Sequence, residues 1–228
     1  ADSRQVYREF DIGTAKPTPI EQALWPHELI DFVDPRHTYT VAEFQQAAQA
    51  RIAEAHRQGQ TPILVGGTGL YIQSITEGLG IPAVPPQPQL RAQLETWPPE
   101  IRYAWLQQLD PVAAEHIHPH DTVRTLRALE IIYTTGKPAS RLRQAHPPNY
   151  PILILGLRCP MPRLEQRIAR RTAEMLAAGW IEEVKTLRER YGPDLPLLQT
   201  LGYAEIGAYL EGRIPEAELQ PLIVRRTR

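Results

Sequence analysis

Reactive side chains crowd the amino end of this chain: Asp2, Ser3, Arg4 and Gln5 set a carboxylate, a hydroxyl, a guanidinium and an amide side by side. An ionised carboxylate can only accept hydrogen bonds, so Asp2 could orient and deprotonate an N–H nucleophile. Residues 2–7 read as the end of a strand running into a loop. Gly13 and Pro17 then punctuate a turn that carries Thr14 and Lys16. In an open α/β sheet, residues just past a strand's carboxyl end face the ligand crevice. Composition alone would make the same stretch an ordinary polar loop. A second segment, PILVGGTGLY at 62–71, is an apolar run ending in a Gly-rich turn that feeds a helix. Backbone N–H groups approach anions in such turns, although they are common in α/β proteins.

Arginine is the third chemical signal. The chain has 25 basic and 26 acidic residues, a formal net charge of −1, which argues against general attraction to nucleic acid. Yet Lys137, Arg141, Arg143, Arg158, Arg163, Arg167, Arg170 and Arg171 face one intervening acid, Glu165. Arg163, Arg167 and Arg171 recur at i, i+4, where like charges repel unless an anion or solvent compensates. Arg124 and Arg127 share a helix face at i, i+3. His116, His118 and His120 alternate beside Pro119 without a carboxylate or thiolate to complete a metal set, so they read as loop histidines. The sole cysteine, Cys159, precedes Pro160 after an apolar run and reads as structural. One cysteine excludes an internal disulfide and suits a reducing compartment. No apolar stretch approaches the roughly 20 residues needed to cross a membrane, so a cytoplasmic protein is expected.

The elements that must position these residues alternate in type. Thr40 with Glu43 forms a capping box, and Val41, Phe44, Ala48, Ile52 and Ala55 make a helical stripe ending at Gly59. A strand at 63–65 and a helix at 69–77 follow. The proline-rich segment 80–88 is a linker. Beyond it the pattern is helical without strands: 90–96, 99–109, 111–117 with Asp110 as N-cap, and 122–135 between Asp121 and Gly136. A strand at 151–157 returns the chain to the sheet. Leu164, Ile168 and Met175 mark the buried side of a helix closed by Gly179, and the last helix starts at Pro215. The expected fold is α/β: residues 1–81 and 119–228 form a parallel-sheet core, and 82–118, extending to about 145, form a helical insertion.

Together DSRQVY, DIGTAKP, LVGGTGLY, RTLRALE, RIARRTAEML and LQTLGYAEIGAYLEG resemble the tRNA dimethylallyltransferases over nearly the whole chain. The resemblance implies a P-loop-kinase-like core. The family's first strand and its G-x-x-x-x-G-K-[ST] phosphate loop have no counterpart here, and the family continues beyond a stretch like Arg225-Arg226-Thr227-Arg228. Both ends are therefore expected to be cut.

The resemblance implies transfer of a dimethylallyl group from its diphosphate to N6 of the adenosine 3′ of the anticodon. Asp2 matches the carboxylate that contacts the amine, and Arg171 the arginine facing the diphosphate; these are the expected catalytic residues. Thr68, Thr14 and Lys16 are expected to line the substrate site. Asp2, Ser3, Arg4 and Gln5 match the loop that contacts a flipped nucleotide. Arg91 and the stretch Val123, Arg124, Thr125, Leu126, Arg127 match positions that touch the tRNA anticodon arm, with Val123 where the family usually has glutamine. Dimethylallyl diphosphate, accompanied by Mg²⁺, and a tRNA anticodon stem-loop are the expected partners of a monomeric, soluble enzyme. An adenylate isopentenyltransferase acting on free nucleotide and a catalytically inactive RNA-binding fragment are the alternatives.

Overall fold

The computed structural model describes residues 1–142 and 144–228; Arg143 of the basic cluster lies outside the described residues. Its elements are α1 (Pro19–Leu24), α2 (Val41–Arg57), α3 (Gly69–Thr76), α4 (Pro88–Glu95), α5 (Pro99–Leu109) and α6 (Pro111–His116). They continue with α7 (Thr122–Thr135), α8 (Ala139–Leu142), α9 (Met161–Ala177), α10 (Trp180–Tyr191), a 3-10 turn (Pro196–Gln199), α11 (Tyr203–Leu210) and α12 (Glu216–Thr227).

Helices form where caps and apolar spacing demand them. Asp110 Oδ1 accepts from Ala113 N at 3.1 Å and Asp121 Oδ1 from Arg124 N at 2.9 Å, each satisfying an orphan donor of a first turn. Gly136 ends α7 as anticipated. Phe44 and Ala48 are the buried part of the α2 stripe, and Ile168 is the buried centre of the α9 stripe.

The expected strands are the exception. Among the described residues, the isolated parallel bridge between Tyr7 and Val33 is the β-pairing present. Residues 63–65 and 151–157 carry no regular structure, and their apolar side chains are exposed: Ile63 at 83% and Leu153 at 83%. An apolar run becomes a buried parallel strand only with hydrogen-bonded neighbours at its edges and layers over its faces. Among the described residues the 63–65 run has a single such bond, from the Ala1 ammonium to Val65 O at 2.7 Å, and the 151–157 run has none.

The chain divides into two compact units. One comprises Ala1–Thr40, Arg51–Thr68 and Leu153–Arg228. Its core gathers Val6, Phe10, Trp180, Val184, Tyr203 and Ile206, with α12 packed on α9. The other comprises Val41–Ala50 and Gly69–Ile152, a wider span than the 82–118 insertion read from the strand-free pattern. Its core centres on Leu106, Ala128, Leu129 and Ile131, where α5 and α7 pack together, and Phe44 stacks on Tyr71 with ring centroids 3.9 Å apart.

Candidate active site and nucleic-acid contacts

The first unit draws the 2–5 segment and the Gly-rich turn together. Ser3 N donates to Thr68 Oγ1 at 3.0 Å, Thr68 Oγ1 lies 3.3 Å from Ser3 Oγ, and Thr68 N donates to Ala1 O at 3.2 Å. Glycine is needed at 66, because a β-carbon there would sit 2.1 Å from Ala1 O. Asp2 is half-buried. Its Oδ1 accepts from Arg4 N at 2.7 Å and Gln5 N at 3.2 Å, closing a turn on its own backbone. Among the described residues Oδ2 has no hydrogen bond. Arg4 is exposed, whereas Gln5 turns inward and donates Nε2 to Thr14 O at 2.9 Å and Ala15 O at 3.0 Å.

Thr14 and Lys16 prove to serve the loop itself. Thr14 Oγ1 donates to Phe10 O at 2.6 Å. Lys16 Nζ reaches Tyr7 O at 2.7 Å, Asp11 Oδ1 at 2.5 Å and Asp31 Oδ1 at 2.7 Å, and its side chain is only 5% exposed. An ammonium has three protons to donate, and here three acceptors take them. Both side chains thus brace the loop expected to line the substrate site.

Glu183, on α10, anchors this loop from the far end of the sequence. Its Oε2 accepts from Asp11 N at 3.0 Å and Ile12 N at 2.7 Å, and its Oε1 from Gly13 N at 3.2 Å and Tyr203 Oη at 2.7 Å. Burial, reinforced by the Glu183 charge, pushes the Tyr203 phenol far above its ordinary pKa, so it stays a donor. Gly13 leaves room for the indole beneath it, since a β-carbon would lie 2.1 Å from Trp180 Nε1. Nothing local announces Glu183, whose three backbone partners in the loop lie 170 to 172 positions away.

Arg171 is exposed on α9. Beside it Arg163, Gln166, Arg167 and Arg170 line an open concavity of about 570 Å³. Arg170 faces Glu174 at 3.5 Å, while Arg163, Arg167 and Arg171 form no ion pair among the described residues. No hydrogen bond among the described residues joins Arg171 to the Asp2–Thr68 cluster.

In the second unit, Arg91 and Arg127 converge on one carboxylate. Arg91 donates Nε to Glu130 Oε1 at 2.7 Å and Nη2 to Oε2 at 2.9 Å. Arg127 donates Nη1 to Glu130 Oε2 and Nη2 to Val84 O at 2.7 Å, and Gln87 N adds a bond to Glu130 Oε1 at 2.6 Å. Glu130 is fully buried. Burial alone would raise its pKa, but the two guanidiniums and the Gln87 N–H outweigh it and hold the carboxyl at about 2. Spacing could have found Glu130, which stands three positions after Arg127 on the same helix. Arg124 is exposed, 3.4 Å from Asp121, and Val123 is exposed beside it. Thr125 and Leu126, expected at the RNA, are instead buried, because they lie on the face of α7 that packs inward.

The residues therefore form a turn-held carboxylate next to a Gly-rich loop, an arginine-lined helix face, and a buried carboxylate gripping two arginines. A family model described as IPP transferase matches residues 5–228. The chain belongs to that family. It is 93% identical to the tRNA dimethylallyltransferase of Synechococcus sp. (strain JA-2-3B'a(2-13)), over all of this chain and 64% of that protein. It is 58% identical to that of Thermosynechococcus vestitus, over all of this chain and 73% of the relative. Among solved family structures, the full-length tRNA isopentenylpyrophosphate transferase of Bacillus halodurans matches with a TM-score of 0.68 at 36% identity, covering 99% of this chain and 72% of that one. A eukaryotic dimethylallyltransferase acting on tRNA matches with a TM-score of 0.82 at 29% identity, over all of this chain and 59% of that one. The chain thus spans about two thirds of the length of two Synechococcus relatives that it matches, 64% of one and 67% of the other.

Proposed function

We propose that this chain acts as a tRNA dimethylallyltransferase, which moves a dimethylallyl group from dimethylallyl diphosphate to N6 of the adenosine 3′ of the anticodon. In the reaction the allylic C–O bond breaks, the N6–C bond forms, diphosphate leaves with the bonding pair, and one N6 proton is lost. Asp2 takes that proton. Its Oδ1 is committed to the turn, which fixes the carboxylate plane, while Oδ2 remains available. Ser3, Arg4 and Gln5 accompany the extruded base. Arg171 steadies the departing diphosphate, an anion suited to a guanidinium fork. Mg²⁺ arrives with the diphosphate as part of the substrate. The apolar runs at 63–65 and 151–157 take strand positions in the family's P-loop-kinase-like sheet. The protein acts as a monomer in the cytoplasm; among the described residues no helix is long and apolar enough to cross a membrane.

The observation that carries this reading is the meeting of Asp2–Ser3 with Thr68 across 65 positions of the chain. It is tested by incubating the protein with dimethylallyl diphosphate, Mg²⁺ and either an anticodon stem-loop bearing the target adenosine or free AMP. Prenylated stem-loop supports the reading. Prenylated AMP alone replaces it with an adenylate isopentenyltransferase, and stem-loop binding without turnover replaces it with an RNA-binding module.

A further inference from the structure

Arg91 lies on α4 and Arg127 on α7, with α5 and α6 between them in the chain, yet both guanidiniums meet on Glu130. The pair is not a surface ion pair of the usual loose kind. The carboxylate is fully buried, its oxygens are engaged by both arginines and the Gln87 N–H, and Val84 O holds the second arm of Arg127. Each arginine nonetheless stays partly open, with side chains 37% and 30% exposed. A guanidinium has five N–H donors, and the bonds to Glu130 and Val84 use only some of them. One carboxylate bonded to two guanidiniums leaves N–H donors over for a phosphodiester, with Glu95 acting on Arg91 only through its charge.

We infer that Glu130 is a positioning residue for RNA contact, holding Arg91 and Arg127 as one preset pair that meets an RNA phosphate. This rests on the tRNA reading given above. Arginine on a helix surface samples many rotamers, and that freedom must be given up when phosphate binds. A buried carboxylate at the root of both side chains removes it before the RNA arrives. The linker residues Val84 and Gln87 belong to the same knot, so the proline-rich segment is fixed along with the two arginines.

The sign of one experiment separates this from a bulk electrostatic role. Glu130→Gln deletes a negative charge; if the arginines acted only by Coulomb attraction, RNA would bind more tightly. A preset pair predicts the reverse. Binding of a fluorescent anticodon stem-loop across a salt series should weaken roughly tenfold for Glu130→Gln, with the slope against log salt unchanged because the arginines keep their charge. Arg127→Ala should instead lower that slope by about 0.7–0.9. Should Glu130→Gln unfold the second unit, Arg91→Lys retains the charge and loses the fork, and weaker binding at constant slope is again expected. Equal or tighter binding by Glu130→Gln, or by Arg91→Lys in its place, overturns the inference while leaving the tRNA reading intact. Failure of the unsubstituted protein to prefer the stem-loop over unrelated single-stranded RNA overturns both.

Discussion

Ser3 N donates to Thr68 Oγ1 at 3.0 Å, joining two loops that lie 65 positions apart in the chain. The threonine hydroxyl is thus the pin between the carboxylate-bearing turn and the Gly-rich turn. Thr68→Val keeps the side-chain shape and removes the acceptor, leaving Ser3 N without its partner. We expect a loss of about 1–2 kcal/mol in urea unfolding and a clear fall in turnover, with Thr68→Ser restoring both. Wild-type turnover in Thr68→Val would show that the two loops need not be joined.

Asp2→Asn is the sharper test of chemistry. Asparagine retains a carbonyl oxygen for Arg4 N and Gln5 N, so the turn persists, but it cannot accept the proton. Turnover on the stem-loop should fall by about 10²–10⁴ with stem-loop affinity within about twofold. Parallel losses in both would remove Asp2 from the reaction.

Within the DIGTAKP loop, Gly13 is coupled through Glu183 to Tyr203 and lies against Trp180. Gly13→Ala drives a methyl into the indole and should cost about 1–3 kcal/mol by calorimetry or urea titration. Tyr203→Phe removes a single hydrogen bond to Glu183 and should cost about 1 kcal/mol. A Gly13→Ala variant as stable as the parent would mean that the loop shifts freely off α10.

Acid should loosen the second unit through Glu130. Its folded-state pKa of about 2 lies below its ordinary 4.5, so the ionised carboxylate contributes stability that is fully present above about pH 4.5. That contribution is withdrawn as the pH falls from there toward 2. Urea midpoints between pH 5 and pH 3 should decline less steeply in Glu130→Gln than in the parent. Identical slopes would assign the acid response to other carboxylates.

Local signals carried much of the helical framework. Asp110, Asp121 and Gly136 bracket helices through interactions spanning a few residues, and such interactions are written in adjacent positions. Runs at 63–65 and 151–157 resisted the same treatment. Strand identity depends on a neighbour elsewhere in the chain, and an apolar run looks alike whether or not it is paired. Asp2, Ser3 and Thr68 were legible as a group through residue type and motif. The bracing bonds of Lys16 were not legible, because a lysine's contacts depend on which acceptors surround it, and Tyr7 and Asp31 lie 9 and 15 positions away.

By itself the sequence determined the family, the helix boundaries set by caps and glycines, and which side chains could carry charge or take a proton. Tertiary structure alone decided how those charges are used. Glu183 became a loop anchor and Glu130 the root of an arginine pair because folding brought distant donors to a half-buried and a fully buried carboxylate. Burial removes competing water, so a charged group must be satisfied by whatever the fold places beside it, and that neighbourhood is a property of the folded chain.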